Sequence, residues 1–349
     1  MRRRRRLWIV LLAVLCFLAA ADSIYWYVAE RNLDAGFSAW LVERRADGWT
    51  ATTQPPVREG WPLAATLAVP QVYLKGGDLD IPGGLTWSAD RLTLRVRLWR
   101  PGLLEVVAQG EQKLRLAGGP EIPYTADRLH IAIPLQAGAP PQSADVTALH
   151  LRADVPTRGD ATSALTVSVL GLHLAFQQAV KSAEPALAFL LHAEQVRLPT
   201  APTWPLGPQI ERLTVEGNLA GPVPNARTLA ERVGAWRDGD GTLELQRFAL
   251  IWGPLDLTAS ARLSLDTQLQ PMGTGSVRAV GYGETLDALA AHGAISKSSA
   301  LAAKAVLSLL AHNPEDGGPP DVEVPLTLQY RTLSMRQVPL VRLPELDWP

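Results

Sequence analysis

The chain changes its hydrophobic period once. Residues 7–21 carry no charge, Asp22 and Ser23 interrupt them, and 24–29 are apolar again. Leu33, Phe37, Trp40, Leu41 and Arg44 then recur at helical spacing until Asp47-Gly48 stops them. Beyond Gly48 the period is two. Leu92, Leu94, Val96 and Leu98 alternate with Thr93, Arg95, Arg97 and Trp99. Leu165, Val167 and Val169 begin another such run, and Leu213, Val215 and Leu219 a third. The cleanest sets Leu255, Leu257, Ala259, Ala261, Leu263 and Leu265 against Asp256, Thr258, Ser260, Arg262, Ser264 and Asp266. Val322, Val324, Leu326 and Leu328 give one more. Such alternation predicts strands with one buried and one wet face, the pattern of antiparallel sheets.

Three later segments read as helices. They are 225–236 with Asn225 as N-cap, 284–291, and 298–311 with a cap at Ser298 or Ser299 and a stop at Asn313-Pro314. Residues 186–198 are long enough for a helix, but Gln195-Val196-Arg197-Leu198 reads on as strand, and the segment is taken as one long strand. Gly273-Thr274-Gly275 and Gly281-Tyr282-Gly283 read as turns or bulges. Two phrases repeat: "SADRLTLRV" (88–96) and "TADRLHIAI" (125–133). Each reads as the start of a strand, with Asp90 as a turn acid and Arg91 as a surface cation.

The expected fold is mainly β, of the α+β class. A single N-terminal transmembrane helix precedes a large curved, trough-like antiparallel sheet with a few covering helices. Residues 1–29 form the basic flank and anchor, and 30–349 the β-rich domain, with a sub-boundary at the proline-rich 199–208.

The anchor reading rests on residues 7–29, long enough to span a bilayer. Arg2, Arg3, Arg4, Arg5 and Arg6 precede it and fit the positive-inside rule. Trp8 marks one interface, and Tyr25, Trp26 and Tyr27 the other. A cleaved signal peptide is the competing reading, with Ala19-Ala20-Ala21 as its cleavage site. The aromatic belt and the helical pattern that follow favour a retained anchor. Either reading places residues 30–349 outside the cytoplasmic membrane. The single cysteine, Cys16, lies in this segment, so the body has no disulfide.

Net charge is −1, and about −6 without the five arginines, which excludes a nucleic-acid surface on the body. No G-x-S-x-G elbow and no phosphate-binding loop occurs. None of the six histidines pairs at metal-ligand spacing. His130, His150 and His173 each take the polar phase of a strand. Asp238/Asp240 and Glu315/Asp316 lie in glycine-rich stretches and read as turn formers. Arg91, Arg95 and Arg97 read as a solvated strand face, with phospholipid head groups as the alternative. No catalytic, metal or cofactor site is assigned, and no enzyme activity is expected.

What remains is apolar strand face, led by Leu92, Leu94, Val96, Leu98, Leu255, Leu257, Leu263 and Leu265. Either the helices fill it, or it stays partly open to an apolar ligand.

The phrases "LDAGFSAWLVERRADGW" (33–49), "ADRLTLRVRLWRP" (89–101), "AWRDGDGTLEL" (235–245), "WGPLDL" (252–257), "SLDTQLQPMGTGS" (264–276) and "ETLDALAAHGAI" (284–295) resemble the proteobacterial domain-of-unknown-function family 2125. Asp240 departs from the glycine pair expected there. The resemblance implies a single-pass protein of the bacterial inner membrane with its bulk in the periplasm, and brings no catalytic residues. Strand phrases such as "ARLSLD" are more loosely similar to AsmA-like envelope proteins, which links the sheet to lipid. The expected function is binding of lipid or another apolar ligand in a sheet groove. The alternative is a non-catalytic structural or assembly protein of the cell envelope, partnered by an envelope protein.

Overall fold

The computed structural model describes residues 2–77, 84–136, 138–157, 162–177, 184–200, 204–222, 226, 228–312, 319–336 and 338–348, with 2–7, 9 and 10 as backbone alone. The side chains of Arg2 to Arg6, and Asn225, Asn313, Pro314, Glu315 and Asp316, lie outside the described residues.

One helix, α1 (Arg2–Ala46), runs unbroken through both apolar segments and the helical stripe. The strands follow as β1 (Thr50–Thr52), β2 (Val57–Glu59), β3 (Ala64–Gly76), β4 (Leu85–Arg97), β5 (Arg100–Leu116), β6 (Ile122–Thr125), β7 (Arg128–Pro134), β8 (Ser143–Pro156), β9 (Thr162–Phe176), β10 (Pro185–Arg197) and β11 (Gln209–Ala220). After α2 (Leu229–Asp238) come β12 (Thr242–Trp252), β13 (Leu255–Leu265) and β14 (Pro271–Val280). The helices α3 (Tyr282–Ala291) and α4 (Lys297–Leu310) then precede β15 (Asp321–Gln329), β16 (Thr332–Met335) and β17 (Val338–Arg342).

All 17 strands join one antiparallel sheet. Its order is a meander: β1 and β2 both pair with β3, β6 and β7 share one place between β5 and β8, and each later strand pairs with the next. The proline-rich loop after β10 connects two directly paired strands, with Leu198 N–H donating to Pro208 O.

Several sequence expectations shift in detail. Thr228 caps α2, its Oγ1 accepting from Glu231 N–H at 3.1 Å. Ser296, not Ser298 or Ser299, caps α4, because its side chain reaches Ser299 N–H at 3.0 Å. Gly273 and Gly275 are neither turn nor bulge but lie inside β14, where a Cβ on Gly273 would meet Arg262 O across the ladder. Gly281, at φ +72°, is the N-cap of α3. Leu98 falls one residue past β4, in the turn to β5.

Asp90 does not start a strand. It sits within β4, opposite a break in the ladder. The break crosses eight strand positions in line. In β3 the inward residues step from Val69 to Val72, in β4 from Leu92 to Ala89, in β8 from Ala148 to Leu151, in β10 from Ala193 to Val196, and in β11 from Leu213 to Ile210. Two residues stand between the inward ones where alternation allows one. Gln71, His150 and Gln195 absorb the step with φ near +50°, and Gly110 in β5 with φ +80°. Asp90 Oδ2 accepts the Glu111 N–H freed by it, at 2.8 Å. A line of such faults adds local twist and bend along one crease.

The two "ADRL" phrases mark this crease. Leu92 and Leu129, which end them, are the first inward residues on one side of it, and both pair with Ala108. Asp127 does precede its strand, as expected, and its Oδ2 lies 2.8 Å from His150 Nδ1.

Candidate apolar binding face

The register carries apolar residues across the sheet without interruption. One row reads Leu67, Leu94, Val106, Ile131, Val146, Leu172, Leu191, Val215, Phe248, Ala259, Val277 and Val324 on twelve successive strands. The next reads Val69, Leu92, Ala108, Leu129, Ala148, Leu170, Ala193, Leu213, Leu250, Leu257, Ala279 and Val322. The opposite face is mainly polar, through Thr66, Arg95, Glu105, Asp145 and His173, with Ala132 between the two carboxylates. The alternation seen along each strand therefore aligns across strands into one apolar surface.

That surface is covered unevenly. Phe37 and Leu41 of α1 join one buried cluster with Leu67, Val69, Val72, Leu94 and Val106, and Ile131 and Ile133 of β7 pack against it. With Ala51 of β1 also in the cluster, α1 shares it with four strands, β1, β3, β4 and β5. Trp26 Nε1–H donates to Ala64 O at 2.9 Å, and the Arg45 guanidinium donates to Ala51 O at 2.7 Å. Between them Glu30, fully buried, faces Arg58 at 2.9 Å, and Arg58 also donates to Asp34 at 2.9 Å. The two carboxylates, Asp34 first, hold the Arg58 guanidinium still more firmly protonated than usual.

From Ile131 onward the first row is half-buried through to Val324. Local clusters, such as Val167, Ala193 and Val196 with Leu151, Leu165 and Leu170 against them, pack part of this face. At the far side α2 and the C-terminal segment cover the ends of β11 to β14 and leave a cavity of about 370 Å³. Leu219, Leu243, Leu263, Leu265, Val233, Trp236 and Trp348 line it, with Arg232 at its wall. Trp236 Nε1–H donates to Ala220 O, and Trp348 Nε1–H to Leu269 O, so both indoles turn carbon edges to the space.

The predicted face residues distribute accordingly. Leu92 and Leu94 meet α1, Val96 is buried beside them, Leu255 and Leu257 lie in the half-buried stretch, and Leu263 and Leu265 line the cavity. Reading strands one at a time missed Phe248, Trp236 and Trp348. His150, His173 and His192 face outward, each against a carboxylate. Asp238 pairs with its neighbour Arg237 at 2.6 Å. Among the described residues, no three His, Cys, Asp or Glu side chains gather as metal ligands would.

α1 is long and apolar enough to cross a membrane, a test that a signal sequence also passes. The fold thus defines a protein with one N-terminal apolar helix and a single antiparallel meander whose apolar face is partly open. Residues 26–344 match the profile of a family described as uncharacterized protein conserved in bacteria (DUF2125), and the chain belongs to that family. No curated protein and no solved structure matches it.

Proposed function

We propose that this protein is a non-catalytic, membrane-anchored binder of lipid or another apolar ligand, held against the apolar face of its sheet. One observation carries the reading. The apolar row is dry under α1 and only half-buried on every strand from β7 to β15, and an apolar cavity lies at the ends of β11 to β14. Soluble surfaces rarely expose contiguous apolar area on that scale without a ligand or partner for it. The cavity volume falls in the range of small-molecule sites.

The continuity of α1 from Arg2 to Ala46 supports a retained anchor. Cleavage after Ala21 would cut a continuous helix five residues before Trp26 docks on the sheet. A bacterial inner membrane, with residues 30–349 in the periplasm, fits this arrangement and the basic N-terminal run.

The full chain is extracted from bacterial membranes in detergent, exchanged into fresh detergent and analysed for bound lipid by mass spectrometry. Retained phospholipid that is lost in Leu172→Lys, but kept in the outward control His173→Lys, supports the proposal. Circular dichroism checks that both variants keep the sheet. Absence of lipid beyond a blank-detergent control contradicts it.

A structural or assembly role is the second reading. It is favoured by β17, whose five residues are all exposed at the free edge of the sheet, where an envelope protein's strand would add.

A further inference from the structure

We propose that the corner of the sheet beside α1 is a second membrane contact, seated in the head-group region of the bilayer that α1 enters. The inference rests on the reading of α1 as a retained span.

The geometry fixes the depth. A bilayer core takes about 20 helical residues. Counted from the end of the arginine run, they finish near Trp26. At that level the sheet begins: Trp26 bonds Ala64 O at 2.9 Å, and Trp61 Nε1–H donates to Ser23 Oγ at 3.3 Å. The β2–β3 turn therefore lies beside helix residues that the span still needs.

The side chains there match an interface. Trp61 is 59% exposed, Leu63 64% and Trp99 59%, at the same level along α1 as its exposed Ile24, Tyr25 and Tyr27. Trp99 belongs to the same corner, since Ala64 pairs with Arg97 and Leu98 N–H donates to Leu63 O. The Arg97 guanidinium lies 5.8 Å from the Trp99 ring and is paired with Glu105 at 3.0 Å, while Arg100, the exposed first residue of β5, follows. Indoles at the carbonyl level with arginines beside them suit phosphate head groups above an acyl boundary. Exposed in water, three such groups would be an unexplained apolar patch. In the interface they stop the sheet from swinging about its anchor.

The test uses the full chain with Cys16→Ser, and single cysteines at Leu63→Cys, Trp99→Cys, Val14→Cys or Leu116→Cys. Each carries an environment-sensitive fluorophore in vesicles of phosphatidylethanolamine and phosphatidylglycerol. Leu116 closes the far end of β5 and serves as the remote control. Doxyl-labelled lipid should quench labels at 63 and 99 severalfold more than at 116, while a water-soluble quencher shows the reverse order. Quenching at 14 alone overturns the second contact and leaves the anchor standing. No lipid quenching at 14 overturns the anchor and this inference with it. Equal quenching at 63, 99 and 116 means that the sheet lies flat on the lipid, which also overturns the corner contact.

Discussion

Glu30 is the fully buried carboxyl where α1 docks, and burial, the larger effect, raises its pKa while Arg58 works to lower it. Arg58 at 2.9 Å supplies the countercharge. Arg58→Met leaves that carboxylate buried and uncompensated, at a cost of about 1–3 kcal/mol. Thermal unfolding should show the loss, and Glu30→Gln in the same chain should restore much of it; equal instability of the single and double variants would argue against the pair. Asp321 offers a pH test. It is buried, and the hydrogen bond from Arg278 at 2.7 Å holds its carboxyl below the ordinary value of 3.8. A carboxyl whose pKa falls on folding stabilises the native state above its unfolded value and loses that contribution as acid protonates it. Asp321→Asn should therefore be less stable than the native chain at neutral pH. The gap should close as the pH falls from 3.8 through the lowered value. A gap that is constant with pH would place the effect elsewhere.

The longest alternating strands, such as β4, β13 and β15, are legible because they keep period two, whereas β10 is legible only from its strand-like end at Gln195-Val196-Arg197-Leu198. The crease is not, because it breaks that period for one step in the strands it crosses. Its trace is nonetheless written as paired residues between two apolar ones: Pro70-Gln71, Asp90-Arg91, Glu194-Gln195 and Glu211-Arg212. Any one of them reads as a strand end, which is why Asp90 was placed at a start. Only alignment of the strands shows that they lie on one line. The crease predicts a residue-type preference. Gln195 has φ +50°, a region that branched side chains enter at a cost of about 1–2 kcal/mol. Gln195→Val should lower the unfolding temperature, whereas Gln195→Gly should leave it unchanged or raise it. A β-branched residue tolerated there would mean that the crease is not required. Helix caps were misplaced for a similar reason. Thr228 and Ser296 lie outside the apolar periodicity, and competition among neighbouring hydroxyls is settled by geometry alone.

At the scale of the molecule, sequence supplied the apolar residues but not their cover. Phe37 and Leu41 read as one stripe of a helix, and nothing in their spacing says which four strands receive them. The cavity walls come from β11, α2, β12, β13 and the C-terminal segment, well over a hundred residues apart in the chain. Trp236 and Trp348 became site residues only when the meander brought them together.

The central claim is that the half-buried apolar row holds lipid in the cell. A photo-reactive benzophenone amino acid at Leu172 or Leu191 looks into that row, and one at His173 or Leu190 looks out from the same strands. After illumination of intact bacteria, mass spectrometry of the purified chain should find phospholipid adducts at 172 and 191, and few or none at 173 and 190. Equal labelling on both faces, or adducts to a single protein in place of lipid at 172 and 191, would contradict the account.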